Sequence, residues 1–303
     1  MTDETAMCDL PRMNFDAPLE PVDGILHGAG QDREAWEAYC AFMAPEGLRP
    51  DMFMAYAGLR GFQCQRLESF RPYWEEGGED PPLMQLGLSM TSDGQPEKCY
   101  AHEVAAGKHD ESVRHLGRFF AAEERPLLVR IGYECTGPWN GYEPESYKAA
   151  FQRVASILRE YPFPLATVWC VEGGWTEIAW DFYPGDEMVD WFSVDLFSPG
   201  HFTASEDFMQ ACLERGKPVL VGECTPRRVG VLDGPQSWEG WYAPFFEWIG
   251  RHPHVKGFSY INWEWSRFPQ WSDWGDGRLQ MNEFVRKNWI QAVGRLKRKV
   301  AAR

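Results

Sequence analysis

The stretch PLLVRIGYECTGPWNGYEPESYKAAFQRVASILREYPFPLATVWCVE, residues 126–172, carries the pattern that decides the fold. It opens on an apolar run (126–135), passes through a turn punctuated by Gly and Pro, and closes on a second run rich in β-branched residues (165–172). Between them Tyr147, Phe151, Val154 and Leu158 keep to one face at helical spacing. Pro144 suits the first turn of that helix, where a missing N–H costs nothing. Strand, amphipathic helix and strand in that order make a βα repeat around a parallel sheet.

Outward from this unit the same grammar recurs in GILHGAG (24–30), DMFMAYAGL (51–59), PLMQLGLSM (82–90), DWFSVDLFS (190–198), PVLVGECTP (218–226) and VKGFSYINWEW (255–265). With the two runs already quoted the strand segments number eight, their starts spaced roughly 25 to 45 residues apart, as in a barrel of βα units. Trp36, Cys40 and Met43 mark a helix after the first strand. Ser205 is the expected N-cap of the sixth helix and Gly216 its end, while Val285, Trp289, Ala292 and Leu296 stripe a last helix over about 279–298. Residues 173–186 lack a helical pattern and read as a loop over the top of the barrel.

The expected architecture is α/β, a single (β/α)8 TIM barrel over residues 24–303, preceded by an N-terminal extension, 1–23. The acidic run WEEGGEDPP (74–82) reads as a solvated connection, and no linker divides the chain. A doubly wound open sheet is the alternative, but no GxGxxG follows the first strand and eight even units fit closure better.

Composition narrows the functional classes. The chain has 303 residues, 44% hydrophobic and 25% charged, the balance of a soluble globular protein, and no apolar run of about 18 residues that would span a membrane. The opening twenty residues lack a basic start and an apolar stretch, so the expected location is cytoplasmic as the sequence is written, or secreted if a signal segment has been removed. A net charge of −15 disfavours nucleic acid, which is bound largely through Lys and Arg. Eight cysteines without a CxxC pair read as reduced thiols, and Cys135, Cys170 and Cys224 in strand-like segments as small buried hydrophobes. Seven histidines form no HxH or HExxH grouping, so neither a metal site nor a cofactor is expected. The sequence does not encode a readable oligomeric state.

Chemistry in such a barrel sits where the strands end and the βα loops converge. Two strands end on an apolar run, a glycine and then a glutamate: Arg130-Ile131-Gly132-Tyr133-Glu134 and Val221-Gly222-Glu223. They lie on the fourth and seventh strands, across the mouth from one another, and two facing carboxylates are what glycosidic cleavage requires. Strand alternation sets Arg130, Gly132 and Glu134 on one face, with the guanidinium below Glu134. A structural ion-pair network is the other reading of these charges.

Fifteen tryptophans exceed the usual share, and Trp139, Tyr142, Trp169, Trp175, Trp180, Tyr183, Trp263 and Trp265 fall on strand ends or the loops after them. Each alone reads as core packing; together, at one end, they read as platforms for sugar rings. The expected partner is a carbohydrate, with Tyr133, Asp195 and Tyr260 among the groups facing it. Asn262 and Glu264 would share one face of the last strand and Trp263 the other unless a bulge intervenes. Glu172, at the end of the fifth strand, is a competing carboxylate ranked below Glu223.

These residues resemble glycoside hydrolase family 26 and, more broadly, clan A of the glycoside hydrolases. Arg130 to Glu134, followed by Gly137 and Trp139, is similar to that family's fourth-strand motif, in which Arg precedes the acid/base Glu by four positions. GKPVLVGECTP (216–226) resembles its nucleophile segment, YPGDEMVDWFSVD (183–195) its passage into the sixth strand, and Trp263 the clan's sugar-platform Trp. The resemblance implies a (β/α)8 fold and retaining hydrolysis of β-linked polysaccharide of the mannan or glucan kind, with Glu134 as acid/base and Glu223 as nucleophile. Tyr133 stands where the family usually has His, and Cys135-Thr136 replaces its frequent Met-Asn. A non-catalytic glycan-binding barrel is the rival from another class, and a metal-assisted hydrolase a further one.

Overall fold

An all-parallel sheet wrapped by helices covers both faces of every strand, so its strands are continuous apolar runs. The eight runs form β1 (Leu26–Gly30), β2 (Met52–Gly58), β3 (Leu83–Ser89), β4 (Leu127–Ile131), β5 (Leu165–Glu172), β6 (Trp191–Leu196), β7 (Val219–Cys224) and β8 (Val255–Ile261). Each pairs in parallel with its sequence neighbour and β8 returns to β1, closing a (β/α)8 barrel. In this computed structural model the described residues are 12–60, 67–75, 81–92 and 95–298. Residues 1–11 of the expected extension and most of the acidic run at 74–82 lie outside them.

Helices fill the outer ring as their apolar stripes require. The principal ones are α1 (Arg33–Met43), α2 (Asp110–Glu123), α3 (Pro144–Leu158), α4 (Pro199–Ala204), α5 (Glu206–Glu214), α6 (Ala243–Arg251) and α7 (Glu283–Arg298). Asp32 caps α1 by accepting from Ala35 N at 2.9 Å. Ser205 makes no capping bond: its backbone is helical (φ −86°, ψ −5°), so it joins α4 to α5. Residues 173–186 do not arch over the barrel. Thr176–Phe182 is a 3-10 segment that takes a helix's place in the ring, with Trp180 and Tyr183 packed on Trp169 of β5 and Trp180 also on Phe208 of α5. Among the described residues no helix is long and apolar enough to cross a membrane.

Much of the tryptophan excess is core. Trp36, Trp169, Trp191, Trp241, Trp248 and Trp289 are fully buried, each ring removing on the order of 200 Å² from water, or roughly 5 kcal/mol of transfer free energy before entropy costs. Inside the barrel the lower layer is apolar, with Met52, Leu128, Ala166, Val168, Trp191 and Leu220 in one cluster. Residues 12–20 cover that end from below. Ala17 and Leu19 pack on the cluster, Trp191 Nε1 donates to Pro18 O at 2.8 Å, and Arg12 Nη1 donates to His252 O at 2.7 Å. The upper layer is polar and leads into the site.

Candidate active site

Glu223 reaches the barrel interior through a defect in strand pairing. Leu220 lies in the interior cluster, so regular alternation points Gly222 inward and Glu223 outward. The register instead runs Val194 to Val221 and then Leu196 to Cys224, setting Gly222 and Glu223 against the single Asp195, with a matching shift against β8. This bulge turns Glu223 back over the interior. Its Oε1 accepts a short hydrogen bond from Arg130 Nη2, while Arg130 Nη1 donates to both oxygens of Asp195 at 3.0 and 2.9 Å. Glycine is required at 222, where a Cβ would sit 2.5 Å from Arg130 Nη1 and 2.7 Å from Asp195 Oδ1. Gln85 secures the bulge from below: it donates to Gly222 O at 2.7 Å and accepts from Ser259 Oγ at 2.6 Å.

Glu134 is positioned by a turn. β4 ends at Ile131, so Glu134 is not on the strand and does not share its face with Arg130 by alternation; the expected stacking of Arg130 beneath Glu134 gives way to pairing with Asp195 and Glu223. Gly132 (φ 60°) and Glu134 (φ 49°) both adopt left-handed backbone, a strained conformation for a non-glycine residue that surrounding bonds must hold. Asn140 Nδ2, buried, donates to Tyr133 O at 3.2 Å and Glu134 O at 3.1 Å. Cys135 N donates to Cys170 O, and Thr136 Oγ1 accepts from Glu172 N, tying the turn to β5. Trp139 folds back across Gly137 and donates Nε1–H to Glu134 Oε2 at 2.9 Å.

Both glutamates border one cleft of about 430 Å³, with Gln31, Tyr56, Tyr133 and Trp139 on one side and Glu172, Phe197, Arg227, Trp265, Gln270, Trp271 and Trp274 around the rest. Burial pushes the Glu134 carboxyl well above the usual range, and the charges of Glu223, Asp195 and Glu172 add to it; the Trp139 N–H pulls the other way. Burial lifts Asp195 to about 8 against the pull of Arg130. Glu172 is lifted to about 7 by burial, opposed by the Gly174 N–H and by Arg227. Burial lowers His201 to about 4, so the 3.4 Å approach of its Nδ1 to Glu172 Oε1 is a contact of a neutral ring and not an ion pair. Two glutamates in unlike surroundings thus face one cavity, Glu223 held by Arg130 and Glu134 by an indole N–H.

Of the residues expected to touch a sugar, Tyr133, Trp139 and Trp265 border the cleft. Arg130 and Asp195 are wholly buried beneath its floor and act on Glu223, not on a ligand. Trp169 and Tyr260 are corrected on parity. Cys170 and Glu172 point inward, so Trp169 points out to Trp180 and Phe208. Ser259 points inward, so Tyr260 points out, donating to Gly277 O and packing on Trp289. Tyr183 sits in the outer ring with its hydroxyl on Asp186, and Trp175 is exposed outside the cleft. Trp263 lies behind Trp265, stacked on Phe268 and donating to Asp32. Asn262 and Glu264 are occupied by Leu279 N and by Arg267 and Arg278. Tyr56 and Phe197, which the sequence reading missed, carried a signal: both continue the inward parity of their strands.

A closed barrel whose C-terminal mouth presents two buried glutamates in an aromatic cleft defines a glycoside hydrolase of the β/α-barrel class. The model of glycosyl hydrolase family 26 matches residues 109–264, and the chain belongs to that family. It is 25% identical to the beta-1,3-xylanase TXYA of Vibrio sp over 94% of this chain and 68% of that one, and 25% identical to a beta-1,3-xylanase of Alcaligenes sp over 93% and 66%. The chain thus spans about two thirds of the length of these relatives. Among solved structures it resembles a GH26 beta-mannanase from Bacteroides ovatus (TM-score 0.66, 16% identity, 90% of this chain and 89% of that one) and a Bacillus subtilis mannanase (0.58, 16%, 80% and 81%), likenesses that speak to the fold.

Proposed function

We propose that the chain is a retaining hydrolase of β-linked glycans, in which Glu223 attacks the anomeric carbon and Glu134 serves as acid and then base. The observation that carries this reading is that two glutamates of opposite surroundings border a single cleft, Glu134 buried with no cation among the described residues paired to it and Glu223 bound to Arg130. In the first step Glu134 gives its proton to the departing glycosidic oxygen as Glu223 forms a glycosyl ester. Burial is the main cause of the raised Glu134, and consumption of the Glu223 charge removes the repulsion that adds to it, so its carboxylate is then better suited to take a proton from water. Tyr133, Trp139 and Trp265 flank the reacting sugar.

The names of the sequence relatives make β-1,3-xylan the first substrate to assay, and the structural neighbours make β-mannan the second. The test follows the first product by NMR on both. Retention of the β-anomer is expected, and an inverted product removes the nucleophile from the scheme. Glu223→Gln should reduce turnover of an activated aryl glycoside by about a thousandfold or more, as loss of a covalent nucleophile does. A variant within tenfold of the parent would remove Glu223 from its role.

A further inference from the structure

Two charged residues of the cleft, Glu172 and Arg227, take no direct part in the proposed cleavage of the bond. Glu172 closes β5 with inward parity, its side chain 2% exposed, and Oε2 is fixed by the Gly174 N–H at 2.7 Å. Arg227 follows β7, and its backbone N–H is anchored on Phe197 O at 2.9 Å. Its guanidinium carbon sits 4.6 Å over the Trp274 ring, and its Nε is buried with no hydrogen-bond partner among the described residues. Phe197 and Trp274 pack together at 5.2 Å and border the same part of the cleft.

We propose that Glu172 and Arg227 form a sugar subsite on the β5–β7 side of the cleft, separate from the cleaved bond, which takes a neutral pyranose unit of the glycan. The inference rests on the glycan reading above and deepens it. Neighbouring ring hydroxyls both donate and accept, so one fixed acceptor and one fixed donor fork hold them together. Trp274 and Phe197 supply apolar surface beside the fork. A structural ion pair does not account for Arg227, because no carboxylate among the described residues lies within ion-pair distance of it, and Glu172 is engaged by a backbone N–H. An anionic sugar fits poorly: three carboxyl groups, Glu134, Glu172 and Glu223, border the cleft around this one guanidinium, and the whole chain carries −15.

The test measures binding apart from turnover. Hydrolysis is stopped with Glu223→Gln, and neutral β-1,3-xylo- and β-1,4-manno-oligosaccharides of two to five units are titrated by calorimetry. In that background Arg227→Ala is expected to weaken the tetrasaccharide by about 10- to 100-fold and Glu172→Gln by about tenfold, the range for hydrogen bonds to charged groups. The double change should cost less than the product of the singles, since both grip one ring. Arg227→Lys, which keeps the charge but loses the fork, is the variant to use should the alanine not fold. Single variants with parental unfolding midpoints and tetrasaccharide affinity within twofold of the background would overturn the subsite, as would failure of the background protein to bind any of these sugars. Tighter binding of a uronic-acid oligosaccharide, lost in Arg227→Ala, would overturn the neutral ligand class. If the unmodified chain releases no reducing ends while Arg227→Ala still weakens binding, the hydrolytic reading fails and the subsite stands.

Discussion

Glu134 and Glu223 are the same amino acid made different by what touches them. Arg130 reaches one; the other accepts from an indole N–H and faces the charges of three acids. Trp139 is therefore a lever on the acid. Its N–H favours the charged carboxylate, so removing that N–H while keeping the ring raises Glu134 further. In the proposed double displacement the Glu134 proton is needed for the first step, and its loss sets the alkaline limb of kcat/KM. Trp139→Phe should therefore move that limb upward, as loss of a hydrogen bond to the charged form does. A limb that stays in place, or moves down, would mean that the titrating acid is not the residue Trp139 touches.

At the scale of elements, the strands were legible because parallel strands buried on both faces leave an unmistakable apolar run, and the two glutamates because each comes within two residues of a glycine at or just past the end of such a run. What failed was the assumption of regularity. Period-two counting cannot see the Gly222–Glu223 bulge, nor that β4 stops at Ile131, so the partner assigned to Arg130 was wrong. The same counting, had it been applied to β5 and β8, would have turned Trp169 and Tyr260 away from the cleft. The 3-10 segment Thr176–Phe182 was opaque because its aromatic residues lack a 3.6-residue stripe. The bulge gives its own prediction. Gly222→Ala forces a methyl against Arg130 Nη1 at 2.5 Å, which should cost about 1–3 kcal/mol in urea unfolding and about a hundredfold in kcat through displacement of the Arg130 bond to Glu223. Asn140→Ala probes the other motif: loss of its two bonds to the Glu134 turn should cost about 1–3 kcal/mol and lower kcat more than it raises KM.

On the scale of the whole molecule, the barrel separates chemistry from cohesion along its axis: loops at the C-terminal mouth carry the site, and the opposite end carries stability. The latter is sealed by residues 12–20, where Lys256 Nζ lies 3.2 Å from Glu20 Oε1 and donates to Met13 O at 2.7 Å. Both side chains are almost wholly buried, and Glu20 Oε2 also accepts from Phe15 N and Ala17 N. Removing one partner of such a pair leaves a charge without solvent or counter-ion, and that costs more than the pair contributes. Glu20→Ala should therefore lower stability by about 3–5 kcal/mol in denaturant unfolding, while kcat/KM measured well below the melting transition stays within twofold of the parent. Adding Lys256→Met to that variant should restore part of the loss, because the stranded ammonium is gone even though the two amide bonds to Glu20 are not recovered. A double variant no more stable than Glu20→Ala would show that those amide bonds, and not the ion pair, fasten the segment to the barrel.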